Sequence, residues 1–203
     1  MGRAKIKKKD TFIDMTAMSD VTVLLLTFFM LTSTFLQPEP IQVNTPSSVS
    51  EVKVPENDVL NILVGNDGKI FIGTENKNNM NAMLQTIADK FGLSFNSAQL
   101  KNFSQESMVG APISALGDYL SLEKEQMAEA IKTLGIPTDS IDGGMSEFQE
   151  WVKAAREANP DMTIAIKCDA KTPYKVVKTM MSELQDMNEN RYRLITNLKQ
   201  GEE

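Results

Sequence analysis

Residues 15 to 36 form an apolar run of about 22 residues interrupted by one acid, Asp20. At a helical rise of about 1.5 Å per residue, such a run spans roughly 33 Å, enough to cross the hydrocarbon core of a bilayer. No second run of this kind occurs in the chain. An ionisable side chain inside such a segment costs about 2.5 to 3.5 kcal/mol even on lenient insertion scales, so it faces other protein or a water-filled path. Asp20 is therefore the first candidate functional residue. Thr16, Thr27 and Thr34 lie four before, seven after and fourteen after it, offsets that fall on one helical stripe with the acid. Val21, Leu25, Phe28, Phe29 and Met30 are left to face lipid or an apolar partner helix. A polar stripe on a lone apolar helix implies a partner. Two plainer readings stand beside this one. Asp20 lies about a turn inside the run, where it can snorkel to the interface and mark the helix start. Threonine hydroxyls are tolerated anywhere in a membrane helix, because they bond back to the preceding turn.

Residues 1 to 11 carry Arg3, Lys5, Lys7, Lys8 and Lys9 against Asp10. By the positive-inside rule this basic tail stays in the cytoplasm, and the remainder of the chain lies outside. A cleaved signal peptide is disfavoured by the length of the run, by Asp20, and by Thr32-Ser-Thr-Phe-Leu-Gln-Pro38 in place of a small-residue cleavage site. After residue 36 there are 16 basic and 24 acidic side chains, net −8, which argues against nucleic acid as a partner. The chain has no histidine and one cysteine, Cys168. An internal disulfide is excluded, and the usual zinc sites, Ser-His-Asp triads and Cys-His dyads are missing. No enzyme chemistry, metal or cofactor is expected.

Residues 37 to 57 hold four prolines and several serines and read as an extended linker. The soluble domain follows over residues 58 to 198, with 199 to 203 as a tail. Val59-Leu-Asn-Ile-Leu-Val64 and Lys69-Ile-Phe-Ile-Gly73 flank an Asn-Asp-Gly turn and predict a β-hairpin. Gly65-Asn-Asp-Gly-Lys69 lacks the spacing and Ser/Thr of a phosphate loop. Met80, Met83, Leu84, Ile87 and Phe91 give a helix over 76 to 91 an apolar face. From about 92 to 145 we read a polar loop with Phe95, Leu100 and Phe103, a break at Gly110-Ala-Pro112, and a helix from Leu122 to Leu134. Its acids Glu123, Glu125 and Glu129 alternate with lysines as on a solvated face. A helix over 146 to 159 with Ser146 as N-cap, a strand over 162 to 168, a further helix and a last strand at Tyr192-Arg-Leu-Ile-Thr196 complete an α/β fold.

The run Phe12-Ile-Asp-Met-Thr-Ala-Met-Ser-Asp-Val-Thr-Val-Leu-Leu-Leu-Thr-Phe-Phe-Met30 resembles the membrane anchor of the ExbD/TolR family, with Asp20 on the family's proton-carrying aspartate. Ala17 stands where that family usually has proline. Ile41-Gln-Val-Asn-Thr-Pro46 resembles its segment after the membrane, with Thr45 in place of leucine. The resemblance gives Ile41, Val43 and Pro46 a role in docking or gating, beside the reading of a plain spacer. Residues 164 to 186 are similar to the family's second signature, in which Asp169 is a turn acid and Tyr174 a packing aromatic. What this likeness implies is a single N-terminal transmembrane helix over 12 to 36 and a small periplasmic domain, a sheet with helices on one face, carrying a helical insertion at about 92 to 145. It also implies an inner-membrane location, a homodimer, and work beside an ExbB-like multispan subunit and a TonB-like protein, driven by protons passing through Asp20. Three alternatives stay open: a TolR-like subunit of an envelope-maintenance motor, a MotB-type stator, for which no peptidoglycan-binding domain is recognisable, and a passive membrane-anchored binding or scaffold domain.

Overall fold

A computed structural model describes residues 15–33, 39–48, 58–138 and 144–198. The basic tail 1–11, Thr34, the linker beyond Ser48 and the tail 199–203 lie outside the described residues. The chain divides into two compact units, Met1–Gln37 and Pro38–Glu203.

The first unit contains helix α1, Met15–Thr32. Its 18 residues reach about 27 Å. None of them is buried, and Val21, Leu25, Phe28 and Phe29 are all more than half exposed. By length and composition the helix is apolar enough to cross a membrane.

The second unit is a mixed five-stranded sheet with helices, an α/β fold. Strands β2 (Val59–Val64) and β3 (Ile70–Gly73) form the predicted hairpin. Its turn closes with Gly65 and Lys69 bonded through their backbones, and Gly68 adopts φ 83°, a conformation a side chain would strain. β5 (Thr163–Cys168) pairs parallel to β2, and β6 (Tyr192–Leu194) parallel to β5. β4 (Met108–Val109) closes the other edge against β3, giving the order β4-β3-β2-β5-β6. One set of cross-strand rows is Ile72-Ile62-Ile166 and Ile70-Val64-Cys168; the alternate set includes Phe71-Leu63. Both sets are buried, with Cys168 half-buried. The sheet thus carries apolar cover on both sides, as a strand parallel to its neighbours requires.

Helix α2 (Lys77–Phe91) starts at Asn76, whose side chain accepts from the Asn78 amide, and stops at Gly92 in the left-handed region. Helix α6 (Glu147–Ala158) opens on a capping box, Ser146 and Gln149 each accepting the other's backbone N–H. α6 packs on α2 and buries Phe148, Trp151 and Val152. It also bonds to α7 (Tyr174–Asp186), through Ser146 to Glu183 and through a two-pronged pair of Arg156 with Glu189, just past the end of α7. Three helices therefore adjoin one another, and their buried residues share one core with the sheet.

Two expectations need correction. The stretch read as a polar loop contains helix α3 (Ser97–Phe103), with its own capping box between Asn96 and Gln99. Tyr174 is 78% exposed and packs nothing; Val176, Met180 and Leu184 do that work on α7. The intervening segment also holds short α4 (Leu116–Leu120) and α5 (Lys124–Thr133), the second a little shorter than predicted. It belongs to the sheet, since the Ile136 amide donates to the Ile70 carbonyl, so β4 and residue 136 share the outer edge of β3. An edge covered in this way is closed to pairing with another chain.

Candidate functional site

Asp20 is the sole ionisable residue of α1, and it is exposed. The hydroxyls around it are turned into the helix: Ser19 donates to the Met15 carbonyl, Thr22 to Met18, Thr27 to Leu24 and Thr32 to Phe28, at 2.7 to 2.9 Å. This back-bonding satisfies each hydroxyl proton locally and leaves the oxygen lone pairs outward. Thr16 and Thr27 lie on the Asp20 stripe, and Thr34 falls outside the described residues. The acid thus stands in a helix whose other polar groups are already served.

The second constellation ties the segment at residues 39–48 to the rest of the second unit. Both Glu39 oxygens accept from Lys167 Nζ at 2.8 Å. Ile41 and Val43 are half-buried and pack against the core, while Pro46 is exposed. Ile41 lies over the β2–β3 turn, where a Cβ on Gly65 would stand 2.7 Å from its Cδ1. Thr45, which stands where the resembled family has leucine, is buried. The Asn44 amide donates to Asp169 Oδ2 at 2.9 Å, and the Asn44 carbonyl accepts from the Ala170 amide at 2.9 Å. Ser47–Ser48 (β1) then pairs parallel with Asn197–Leu198 (β7). Ten residues of the proline-rich stretch are in this way held along the domain.

Asp169 is the fixed point of this latch. Its other oxygen accepts from the Lys171 amide at 2.8 Å. The amides of Lys171 and Asn44 hold its carboxyl below the usual carboxylate range. The composition of residues 37 to 57 pointed to an extended chain, but Asn44 and Asp169 lie 125 residues apart, and no local pattern pairs them. Cys168, beside it, is half-buried, and burial pushes its thiol up to about 11. At neutral pH it is a packing residue. Among the described residues no group of three or more His, Cys, Asp or Glu side chains is placed to hold a metal.

The family described as "Biopolymer transport protein ExbD/TolR" matches residues 7–110. That span takes in α1, Asp20, the docked segment, the hairpin, α2, α3 and β4. No curated protein and no solved structure matches the chain.

Proposed function

Because the chain belongs to the ExbD/TolR family of biopolymer transport proteins, whose members serve energy transduction, we propose that it is the proton-carrying subunit of an ExbB-ExbD-type motor. On this reading α1 crosses the inner membrane once, with the basic tail in the cytoplasm and the α/β domain in the periplasm. Two copies pair, and their helices stand within an ExbB-like multispan subunit. Asp20 accepts a proton from the periplasmic side, moves as a neutral acid past apolar partner surface, and releases the proton toward the cytoplasm. One charge crossing about 100 mV supplies about 2.3 kcal/mol, so several transfers drive one mechanical step. The work is passed to a TonB-like protein that opens transport across the outer membrane, without covalent catalysis.

The observation that carries this reading is Asp20 itself, the sole ionisable group of a fully exposed apolar helix inside the matched span. The docked segment supports a mechanical role for the linker. A pull from the anchor meets the Glu39–Lys167 pair first, then the seated Ile41 and Val43, and then the Asn44–Asp169 contact.

The test is Asp20→Asn in the native membrane, scored by transporter-dependent uptake and by co-purification with the multispan partner. Loss of uptake with an intact complex supports the motor. Normal uptake together with an intact envelope sinks it and leaves an anchored scaffold. Loss of envelope integrity with uptake intact assigns the same chemistry to a TolR-type role.

A further inference from the structure

The docked segment ends at a part of the soluble unit whose surface charge is inverted. Glu39 pairs with Lys167, and Asn44 bonds to Asp169 and Ala170. The chain then continues through Lys171, Tyr174, Lys175 and Lys178, all exposed. On α7, positions 174, 175 and 178 share the outer side, opposite the buried Met180 and Leu184. Further along, that outer side carries Ser182, Gln185 and Asp186, so the cations gather only at the end beside the docked segment.

Helix stability does not account for these lysines. The N-terminal end of a helix favours anions, yet the first turn of α7 holds no acid and does hold Lys175. Among the described residues Lys175 and Lys178 form no ion pair. Lys171 faces Asp169, whose oxygens are already taken by two backbone amides. The adjacent β2–β3 turn, where Gly68 touches Val176, adds Asp67 and Lys69, which neutralise each other. The remaining acid here, Glu39, is matched by Lys167. In a chain that is net −8 after residue 36, this surface is left net positive.

We propose that Lys171, Tyr174, Lys175 and Lys178 form a docking surface for the anionic phospholipid headgroups of the membrane that anchors α1. The inference rests on α1 being a membrane helix and not on Asp20 carrying protons. Three features select lipid as the occupant. The patch is net cationic, with Lys175 and Lys178 outside any ion pair among the described residues and Lys171 partly offset by Asp169, as attraction to an anionic leaflet requires. An exposed tyrosine stands among the lysines, the amphipathic ring that settles at headgroup level. Glu39 follows Thr32 by only seven positions, a covalent reach of at most about 25 Å, so the leaflet is present at high effective concentration and a few lysines suffice.

The experiment uses the full chain in nanodiscs of phosphatidylcholine alone or with about one-third phosphatidylglycerol. Lysines are labelled with an amine-reactive ester, and rates are read residue by residue by mass spectrometry. The expected result is a several-fold slower reaction at Lys171, Lys175 and Lys178 in the anionic discs only, reversed by about 0.5 M salt. Lys101 and Lys124, on α3 and α5, keep equal rates in both discs. Lys171→Gln/Lys175→Gln/Lys178→Gln should abolish the lipid-dependent difference at a neighbouring reporter, the half-buried Lys167. Equal rates in both discs overturn the proposal, as does protection that appears only when a protein partner is added. Asp20→Asn should keep the protection, so failure of the motor leaves this result readable.

Discussion

Asp169 Oδ2 accepts the backbone N–H of Asn44 at 2.9 Å, and the Asn44 carbonyl takes the amide of Ala170 in return, joining positions more than a hundred residues apart. The contact turns a stretch of proline-rich chain into part of the folded domain. Its strength is tied to one carboxylate. The Asp169 carboxyl lies below the usual range in the folded state, so its contribution is present at and above the ordinary carboxylate pKa of about 4 and disappears as pH falls through the lower folded value. Amide exchange at Asn44 and Ala170, corrected for the intrinsic rate at each pH, should stay protected near neutral pH and lose protection only where acid protonates Asp169, below the ordinary carboxylate range. Asp169→Ala should remove the protection at every pH while the β2 and β5 amides keep theirs. Unchanged exchange in that variant would mean that Ile41 and Val43 hold the segment without the latch.

Glu150 is 6% exposed on α6 and is met by Lys90 from α2. Removing the cation leaves a buried carboxylate without its partner. Lys90→Met should destabilise the domain by about 1 to 3 kcal/mol, seen as a lower denaturant midpoint at unchanged slope. Lys90→Met/Glu150→Met should recover most of that loss, because two apolar groups need no pairing. A double variant as unstable as the single one would contradict this account.

The parts of the fold visible in the sequence are those specified by neighbours. The Asn66-Asp67-Gly68 turn, the apolar face of α2 and the Ser146 cap each rest on residues a few positions apart. α3 carried a similar mark, Asn96 followed by Gln99, but seven residues with Leu100 left 39% exposed gave too short an apolar face to read. The edge formed by Val109 and Ile136 and the Asn44–Asp169 latch depend on distant chain, which periodicity does not encode. The packing role that the family resemblance gave Tyr174 falls instead to Val176, beside the turn at Gly68, and Tyr174 is exposed.

Gly110 tests how tightly the second side of the sheet is closed. A Cβ there would fall 2.1 Å from Cδ1 of Phe71, a ring that is fully buried. Gly110→Ala should therefore cost about 1 to 3 kcal/mol, and the melting temperature should fall by several degrees. Phe71→Leu added to Gly110→Ala should return part of the loss by making room. An unaltered melting temperature for Gly110→Ala would show that the ring gives way freely.

Replacing Thr27 and Thr22 in turn tests whether the Asp20 stripe is part of the proposed proton path. Both hydroxyls donate to their own helix, Thr27 to Leu24 and Thr22 to Met18, so replacing either by valine removes a similar local bond. They differ in direction. Seven residues bring Thr27 to within about 20° of Asp20 around the helix, whereas two residues carry Thr22 about 160° away. If the Asp20 stripe faces the proton path, the outward lone pairs of Thr27 help order the water or partner group that exchanges with the acid. Thr27→Val should then lower ion-coupled uptake about two- to tenfold, the worth of one net hydrogen bond, with the complex still assembled. Thr22→Val should stay within about twofold of the parent. Equal effects from the two substitutions would remove the stripe from the mechanism and leave Asp20 to act alone.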